Sequence, residues 1–351
     1  MAAITTGIHH RSYRSELALR HTKAEYFRLA LVVLAVLAVP FTVDVYWLGV
    51  LNTILIAVIG AVGLNILVGY TGQISLGQGA FLAIGAYTSA IVSQRAGLPV
   101  PLAILLAVLL TGVVGAVFGL PAVRLKGLYL AIVTLAAQVI VVVIARRWDW
   151  LTDGVGFITL DRVEVLGTGL SSGLFELQWF VILVVLTALA VLTARNLFRT
   201  GYGRAFMAVR DQDIAAAAIG VDVTRAKLTA FAVSSGYVGL AGALTAHYTG
   251  TITWERFTLD VSILYLAMII VGGLGSVAGA VYGAAFMMLI PIFLDELVSS
   301  LGNFVGAGQL PALQNAVFGL VIILFLIFEP RGLDRIWQRA KDYVRFWPFR
   351  Y

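Results

Sequence analysis

Side chains able to do covalent or redox chemistry are scarce in this chain, and none stands at a working spacing. There is no cysteine, so thiolate nucleophiles, disulfides and Cys-ligated metals are excluded. His247 is the one histidine of four that lies in an apolar stretch. No carboxylate or second histidine accompanies it at ligand spacing, so no metal site is expected. No Ser/His/Asp set and no paired carboxylates suggest hydrolysis. None of the four lysines stands in a GxxxxGK motif followed by Ser or Thr, so the chain does not cradle ATP in that way.

What remains is a set of uncharged polar groups inside apolar sequence. The stretch from Gly69 to Gly79 reads GYTGQISLGQG. Its four glycines alternate with Gln73, Ser75 and Gln78, and it interrupts an apolar pattern. Non-helical backbone at membrane depth is tolerated only where protein or a water-filled cavity surrounds it. The stretch is therefore either a broken helix lining a path or a plain interfacial loop. Asn65, Gly72, Gln73, Ser75, Gln78 and Gln138 are the candidates for such a path. Each alone is equally able to bond a neighbouring helix, as Asn52, Thr134, Ser234 and Ser235 are.

Small residues recur at packing distance. Gly275, Gly279 and Gly283 form two GxxxG steps, Gly115 and Gly119 another, and Gly236, Gly239 and Gly242 repeat every third residue. Such faces let helix backbones approach closely. VGYTG (Val68–Gly72) resembles VGGLG (Val271–Gly275), a faint sign of an internal repeat.

The segment 195–227, RNLFRTGYGRAFMAVRDQDIAAAAIGVDVTRAK, is the most informative polar one. Ala215, Ala216, Ala217 and Ala218 form a strong helix-forming run. Asp211 or Asp213 is placed to cap its start, and Gly220 to end it in a left-handed cap. The spacing predicts about two helical turns with no large apolar stripe to pack on the same chain. Short helices are marginal in water. Either a groove in another protein holds this one, or it is an ordinary interfacial connector.

The elements positioning these groups are membrane helices. Hydrophobic residues make up 60% of the 351 and charged residues 12%, against roughly 45–50% and about 25% in soluble domains. The mean hydropathy is +0.96. Such a surface faces lipid. Disorder is excluded by the same figures. At about 20 apolar residues per crossing, the chain is read as an all-α polytopic bundle of about ten spans. These are 28–43, 46–68, 76–94, 101–120, 127–145, 178–194, 228–248, 260–273, 277–294 and 312–328. The first apolar run has a long polar leader and is expected to stay as a helix rather than be cleaved.

Charge placement orients the bundle. Of 24 basic residues, five precede the first apolar run: Arg11, Arg14, Arg20, Lys23 and Arg28. Six more lie in 195–227 and six follow Glu329. The positive-inside rule makes these parts cytoplasmic, both termini included. Acidic residues gather in 146–177, with Asp149, Asp153, Asp161, Glu164 and Glu176, and this loop is expected outside. Trp47, Trp148, Trp150, Trp179, Trp254 and Trp337 fall near span ends, as interfacial aromatics do. The net charge of +6 does not indicate nucleic-acid binding, because the basic segments are separated by spans that cannot lie in water. The expected organisation is a segment 1–27, a membrane domain 28–328 and a tail 329–351. No Asp, Glu, Lys or Arg falls mid-span, where ion-coupled carriers keep such groups. Transport would then be passive or driven by another subunit.

Three motifs resemble a known family. GLNILVGYTGQISLGQGAFLAIGAYTSAIV (Gly63–Val92) resembles the signature region of permease subunits from branched-chain amino acid ABC importers, the LivM/LivH type. GRAFMAVRDQDIAAAAIGVDVTRAKLTAFAVSS (Gly203–Ser235) is similar to that family's coupling loop, and VGGLGSVAGAVYGAAF (Val271–Phe286) to a later segment. The similarity runs from about Gly63 to Phe328 and is closer to LivM. The family loop often carries a Glu near the alanine run, where this chain has Asp211 and Asp213.

The resemblance implies a subunit of the bacterial cytoplasmic membrane. Its partners would be a second, LivH-like permease, two cytoplasmic ATPase subunits that bind ATP and Mg, and an external binding protein. This chain itself would hold no cofactor. Arg210, Asp211, Asp213, Ala215–Ala218 and Gly220 would couple to the ATPase. ATP-driven closure would then shift spans six and seven and open the path to one side at a time. Branched-chain amino acids are the default cargo; the family also moves urea, short amides and aromatic acids. The alternatives are a passive channel, an ion-coupled carrier and a membrane-embedded enzyme.

Overall fold

The computed structural model describes residues 36, 38–40, 42–148, 157–160, 172–300, 310–328 and 332–346. Two long helices form the centre. Helix α1 (Val45–Thr71) and helix α9 (Val223–Thr249) each have 27 residues, about 40 Å at 1.5 Å per residue. They pack on each other. Ile59, Ala61, Leu64 and Ile66 of α1, and Ala230, Phe231, Ala241 and Leu244 of α9, are buried.

Around them lie α2 (Gln78–Gln94), α3 (Val100–Phe118), α4 (Leu120–Arg124), α5 (Leu128–Arg147) and α6 (Ser172–Leu197). Two short helices follow, α7 (Gly201–Asp211) and α8 (Asp213–Ala218). After α9 come α10 (Leu259–Gly272), α11 (Val277–Ser300), α12 (Leu310–Phe328) and α13 (Leu333–Phe346). The outer helices turn aliphatic side chains outward: Leu109 and Val113 on α3, Ile132 and Ile140 on α5, Val181 and Val185 on α6 are all exposed. In water this surface would aggregate; in lipid it is solvated.

Among the described residues, six helices are long and apolar enough to cross a membrane: α1, α3 continued by α4, α5, α6, α9 and α11 as far as Glu296. Three further expected spans coincide with α2, α10 and α12. Helices α2 and α10 have 17 and 14 residues, short of a full crossing, and each adjoins a turn of non-helical backbone. The expected span 28–43 lies mostly outside the described residues, as do segment 1–27 and most of the acidic loop.

Three elements depart from the expected pattern. Phe157–Thr159 (β1) pairs antiparallel with Thr251–Thr253 (β2), with Ile158 opposite Ile252. Both isoleucines are buried, so the ribbon closes the bundle end opposite α8, and the chain is not wholly helical. Helix α7 was not expected, because glycines at 201 and 203 argue against a helix. Gly203 is needed there: a Cβ would collide with the backbone of Phe198. Helix α13 occupies what the sequence suggested only as a basic tail.

Gly279 and Gly283 do pack helices, on Gly272 of α10. Gly275 does not. It sits in the turn between α10 and α11 with φ +75, a left-handed conformation that glycine adopts without strain.

Candidate functional site

The backbone leaves helical geometry between Thr71 and Gln78. Gly72, at φ +68, ends α1 in a left-handed cap. Gln73 and Ser75 are buried while Ile74 between them is 40% exposed. The freed backbone groups are met by side chains of other helices. Leu76 N donates to Thr134 Oγ1 (2.9 Å) and Gly79 N to Ser262 Oγ (2.8 Å). Gly77 N donates to Ser75 Oγ (3.3 Å). Gln138 accepts from Ala80 N and donates to the Phe257 carbonyl. Gln78 Nε2 donates to the Gly60 carbonyl (3.0 Å). This is a broken helix enclosed by protein, the condition under which such backbone persists at membrane depth.

A second irregular turn, between α10 and α11, lies beside the end of α1. Asn65 clamps it: Nδ2 donates to the Ser276 carbonyl (2.7 Å), and Oδ1 accepts from Gly275 N (3.0 Å). Asn65, Gln78 and Gln138 thus frame the two breaks. Ser75 holds its own turn, and Gly72 is a cap. Gln73 keeps a buried polar atom unused. Its Nε2 donates to Thr71 Oγ1 (3.1 Å), while Oε1 is buried without a partner among the described residues. Ser262 also belongs to the frame, though a serine in an apolar run carries no distinguishing signal in the sequence.

The two short helices sit at this same end. Thr200 caps α7 by accepting from Gly203 N, and Phe206 and Val209 bury its inner face. Arg210 does not face outward only. Its Nη1 donates to the Gly69 carbonyl (3.1 Å) and its Nε to Asp211 (3.2 Å). It therefore ties α7 to the last turn of α1, where Tyr70 also stacks on Phe198 at 3.3 Å.

Helix α8 spans six residues rather than the whole of 211–220. Asp211 belongs to α7, and neither aspartate caps α8. Gln212 occupies the N-cap position with no side-chain bond. Asp213 is drawn off by lysines: Lys126 at 2.5 Å and Lys227 at 3.8 Å. Lys227, itself buried, also donates to the Ala122 carbonyl (3.2 Å). At the far end Gly220 has φ +89. Gly220 N donates to Ala217 O and Val221 N to Ala216 O, a Schellman closure. The expected glycine cap is present.

Only Ala216 of α8 is buried. Ala215, Ala217, Ala218 and Gly220 are exposed, and Ile214 and Ile219 are 72% and 78% exposed. The chain holds α8 by one alanine and one carboxylate and presents two isoleucines to whatever lies beyond.

Lys126 holds the Asp213 carboxyl below its ordinary value, chiefly through their hydrogen bond. The folded form is thus favoured by the ionised carboxylate. That contribution is complete above the unfolded value of about 3.9 and is lost as pH falls through the lowered one. At neutral pH we expect Lys126→Ala to cost under about 1 kcal/mol, because that lysine is well exposed. Asp213→Ala leaves Lys227 buried without its anion and should cost roughly 1.5–3 kcal/mol. Adding Lys227→Met should recover most of that loss. Thermal unfolding in detergent micelles orders the three variants.

The opposite end carries a polar cluster around Glu176, a residue the sequence placed in a loop. Glu176, in the first turns of α6, accepts from Asn52 Nδ2 and Tyr248 OH, both at 2.8 Å. Phe175 and Trp179 pack around Tyr248. The cluster joins α1, α6 and α9. His247 is buried beside it in sequence and shares a 2.8 Å bond with Ser89. Among the described residues no group of three or more His, Cys, Asp or Glu is placed to hold a metal.

The bundle thus carries two irregular turns and a small exposed helix at the same end. Residues 46–326 match the family described as branched-chain amino acid transport system, permease component. The chain belongs to this permease family. It is 31% identical over 332 residues to the high-affinity branched-chain amino acid transport system permease protein LivM of Salmonella typhimurium. Against the Escherichia coli LivM the identity is 32% over the same length. Each alignment covers 89% of this chain and 75% of the relative. The autoinducer 2 import system permease protein LsrC of Salmonella paratyphi B is 31% identical over 183 residues, half of this chain and 48% of that protein. No solved structure matches the permease. It is a multi-pass membrane protein with a transport role.

Proposed function

We propose that the permease is the LivM-like subunit of an ATP-driven importer in the bacterial inner membrane, moving branched-chain or other small amino acids inward. A second permease would complete the path, two cytoplasmic ATPases would drive it, and an external binding protein would deliver cargo. Ten spans with both termini cytoplasmic fit the basic segments, and the membrane domain is 28–328. The LivM relatives' names support the cargo. The LsrC relative is named for a different solute, so the uptake assay includes other small solutes.

One observation carries the reading: α8 presents Ile214 and Ile219 outward from the end that bears the basic loop. Docked on an ATPase, they would bury apolar area worth several kcal/mol. Movement of α8 would pass through Asp213 to Lys126 and Lys227, at the start of α5 and of α9. Movement of α7 would pass through Arg210 to Gly69. Both routes end on helices that hold the broken segment. Alternating access then needs only that the two turns rearrange together.

The test is Ile214→Asp with Ile219→Asp. Both side chains are exposed, so insertion and melting temperature should be unchanged. Uptake into vesicles and copurification of the ATPase should fall at least tenfold. Unchanged uptake with a folded subunit would remove α8 from the coupling role. Uptake by the lone chain without ATPase would replace the importer with a channel.

A further inference from the structure

Helix α13 (LDRIWQRAKDYVRF) has a second amphipathic design. At 100° per residue, Leu333, Ile336, Trp337 and Tyr343 fall within an arc of about 120°. Arg335, Arg339 and Lys341 lie on the remainder, with Asp334 and Asp342. Within the chain this apolar arc is only partly covered. Ile336, Trp337 and Tyr343 are 43%, 60% and 63% exposed, at a point where the helix is already seated. Gly332, at φ +79, presses on Gly273 so closely that a Cβ would meet its backbone at 2.5 Å. Trp337 packs against Tyr282 of α11, rings 6.4 Å apart. Leu333, Ile336, Trp337 and Tyr282 together line an open groove of about 230 Å³.

The groove's fourth wall decides what covers it. Tyr282 lies in the second turn of α11, a helix apolar enough to span the bilayer, and is itself exposed. The apolar side of α13 therefore continues the surface that lipid already solvates. Its basic side points to the zone of headgroups. Aromatic anchors, an apolar arc and an excess of Lys and Arg are the features of a helix lying in the interface plane. A protein partner would leave the lipid-facing flank of Tyr282 uncovered.

We infer that α13 lies along the inner leaflet and binds anionic phospholipid, with an acyl chain in the Tyr282–Trp337 groove and headgroup phosphates against Arg335 and Arg339 on one flank and Lys341 on the other. The side of the membrane rests on the cytoplasmic placement of the tail proposed above. The site locks the turn between α10 and α11 to the bilayer, the same turn that Asn65 and Arg210 reach.

The chain's lack of cysteine permits a direct test. Trp337→Cys and Gln338→Cys are made singly in the full chain, coexpressed with its partners, spin-labelled, and placed in nanodiscs with or without phosphatidylglycerol. With it, position 337 should be accessible to oxygen and shielded from a nickel chelate, and position 338 the reverse. Changing Arg335, Arg339 and Lys341 together to Gln should lower bound phosphatidylglycerol at least tenfold, measured by native mass spectrometry. Equal chelate access at both positions overturns the proposal. So does shielding of 337 that disappears when the ATPase subunits are stripped, which would make the partner a protein. Labelling of Gln338→Cys by an impermeant maleimide from the outside refutes the topology alone, leaving lipid contact to be judged by the spin labels.

Discussion

Gly283→Leu is expected to abolish recovery of folded permease. A Cβ at this position would collide with the Met268 carbonyl and come within 2.8 Å of Gly272 Cα and N. One turn away, a Cβ on Gly279 would stand 2.7 Å from Gly272 O and 2.8 Å from Gly273 O. These neighbours are backbone, which cannot rotate aside as a side chain does. Helix α10 would have to move off α11 as a unit. It cannot do so alone, since Ser262 serves the broken segment and the Tyr265 ring lies on Gly60 of α1. Overpacking a core costs roughly 1–3 kcal/mol where side chains yield; here the cost exceeds that range. Gly319→Ala, whose Cβ would meet nothing within 4 Å, should be neutral. Size-exclusion profiles of the two variants in detergent make the comparison. A monodisperse Gly283→Leu peak of native size would show that α10 and α11 are not locked in this way.

The spans were legible because lipid imposes one demand on every exposed residue. Runs such as Val45–Thr71 and Val223–Thr249 announce themselves by composition. The glycine cap at Gly220 was legible because its logic is local: an alanine run followed by a residue that accepts positive φ. The fate of Asp213 was not. Capping preference depends on the adjacent backbone, but the carboxylate was claimed by Lys126 and Lys227, which only the fold brings near. The ribbon of β1 and β2 was invisible because three-residue strands carry no periodic signal. Helix α13 has a readable period, but its charges also satisfy the positive-inside rule, and composition does not separate a helix from a basic tail. Polar residues inside spans were easy to find and hard to interpret. A glutamine lining a path and a glutamine satisfying stray backbone look alike until the backbone is traced. Asn65 meets the loop around Ser276 across 211 residues of sequence.

That ambiguity is resolved most sharply at Gln138 and Gln73. Gln138→Leu keeps a side chain of similar bulk and removes both polar atoms. Ala80 N loses its acceptor and the Phe257 carbonyl its donor, in a site where Gln138 is 1% exposed and water has no access. A buried group left unpaired costs about 1–3 kcal/mol, so the two together cost about 2–6 kcal/mol. Against the roughly 5–15 kcal/mol by which proteins are stable, this variant should melt well below the parent or fail to accumulate. Gln73→Leu should behave oppositely. Its Oε1 already lacks a partner, so its loss removes a cost, and only the bond to Thr71 is given up. Stability should be unchanged within about 1 kcal/mol. If the acceptor is kept for passing cargo, the apparent KM for uptake should rise while the melting temperature stays. A destabilised Gln73→Leu would place that residue in the frame with Asn65, Gln78 and Gln138, and would leave none of the five polar candidates to the path. A fully stable Gln138→Leu would mean that the broken segment is wet, and that the helix break opens on the pathway itself.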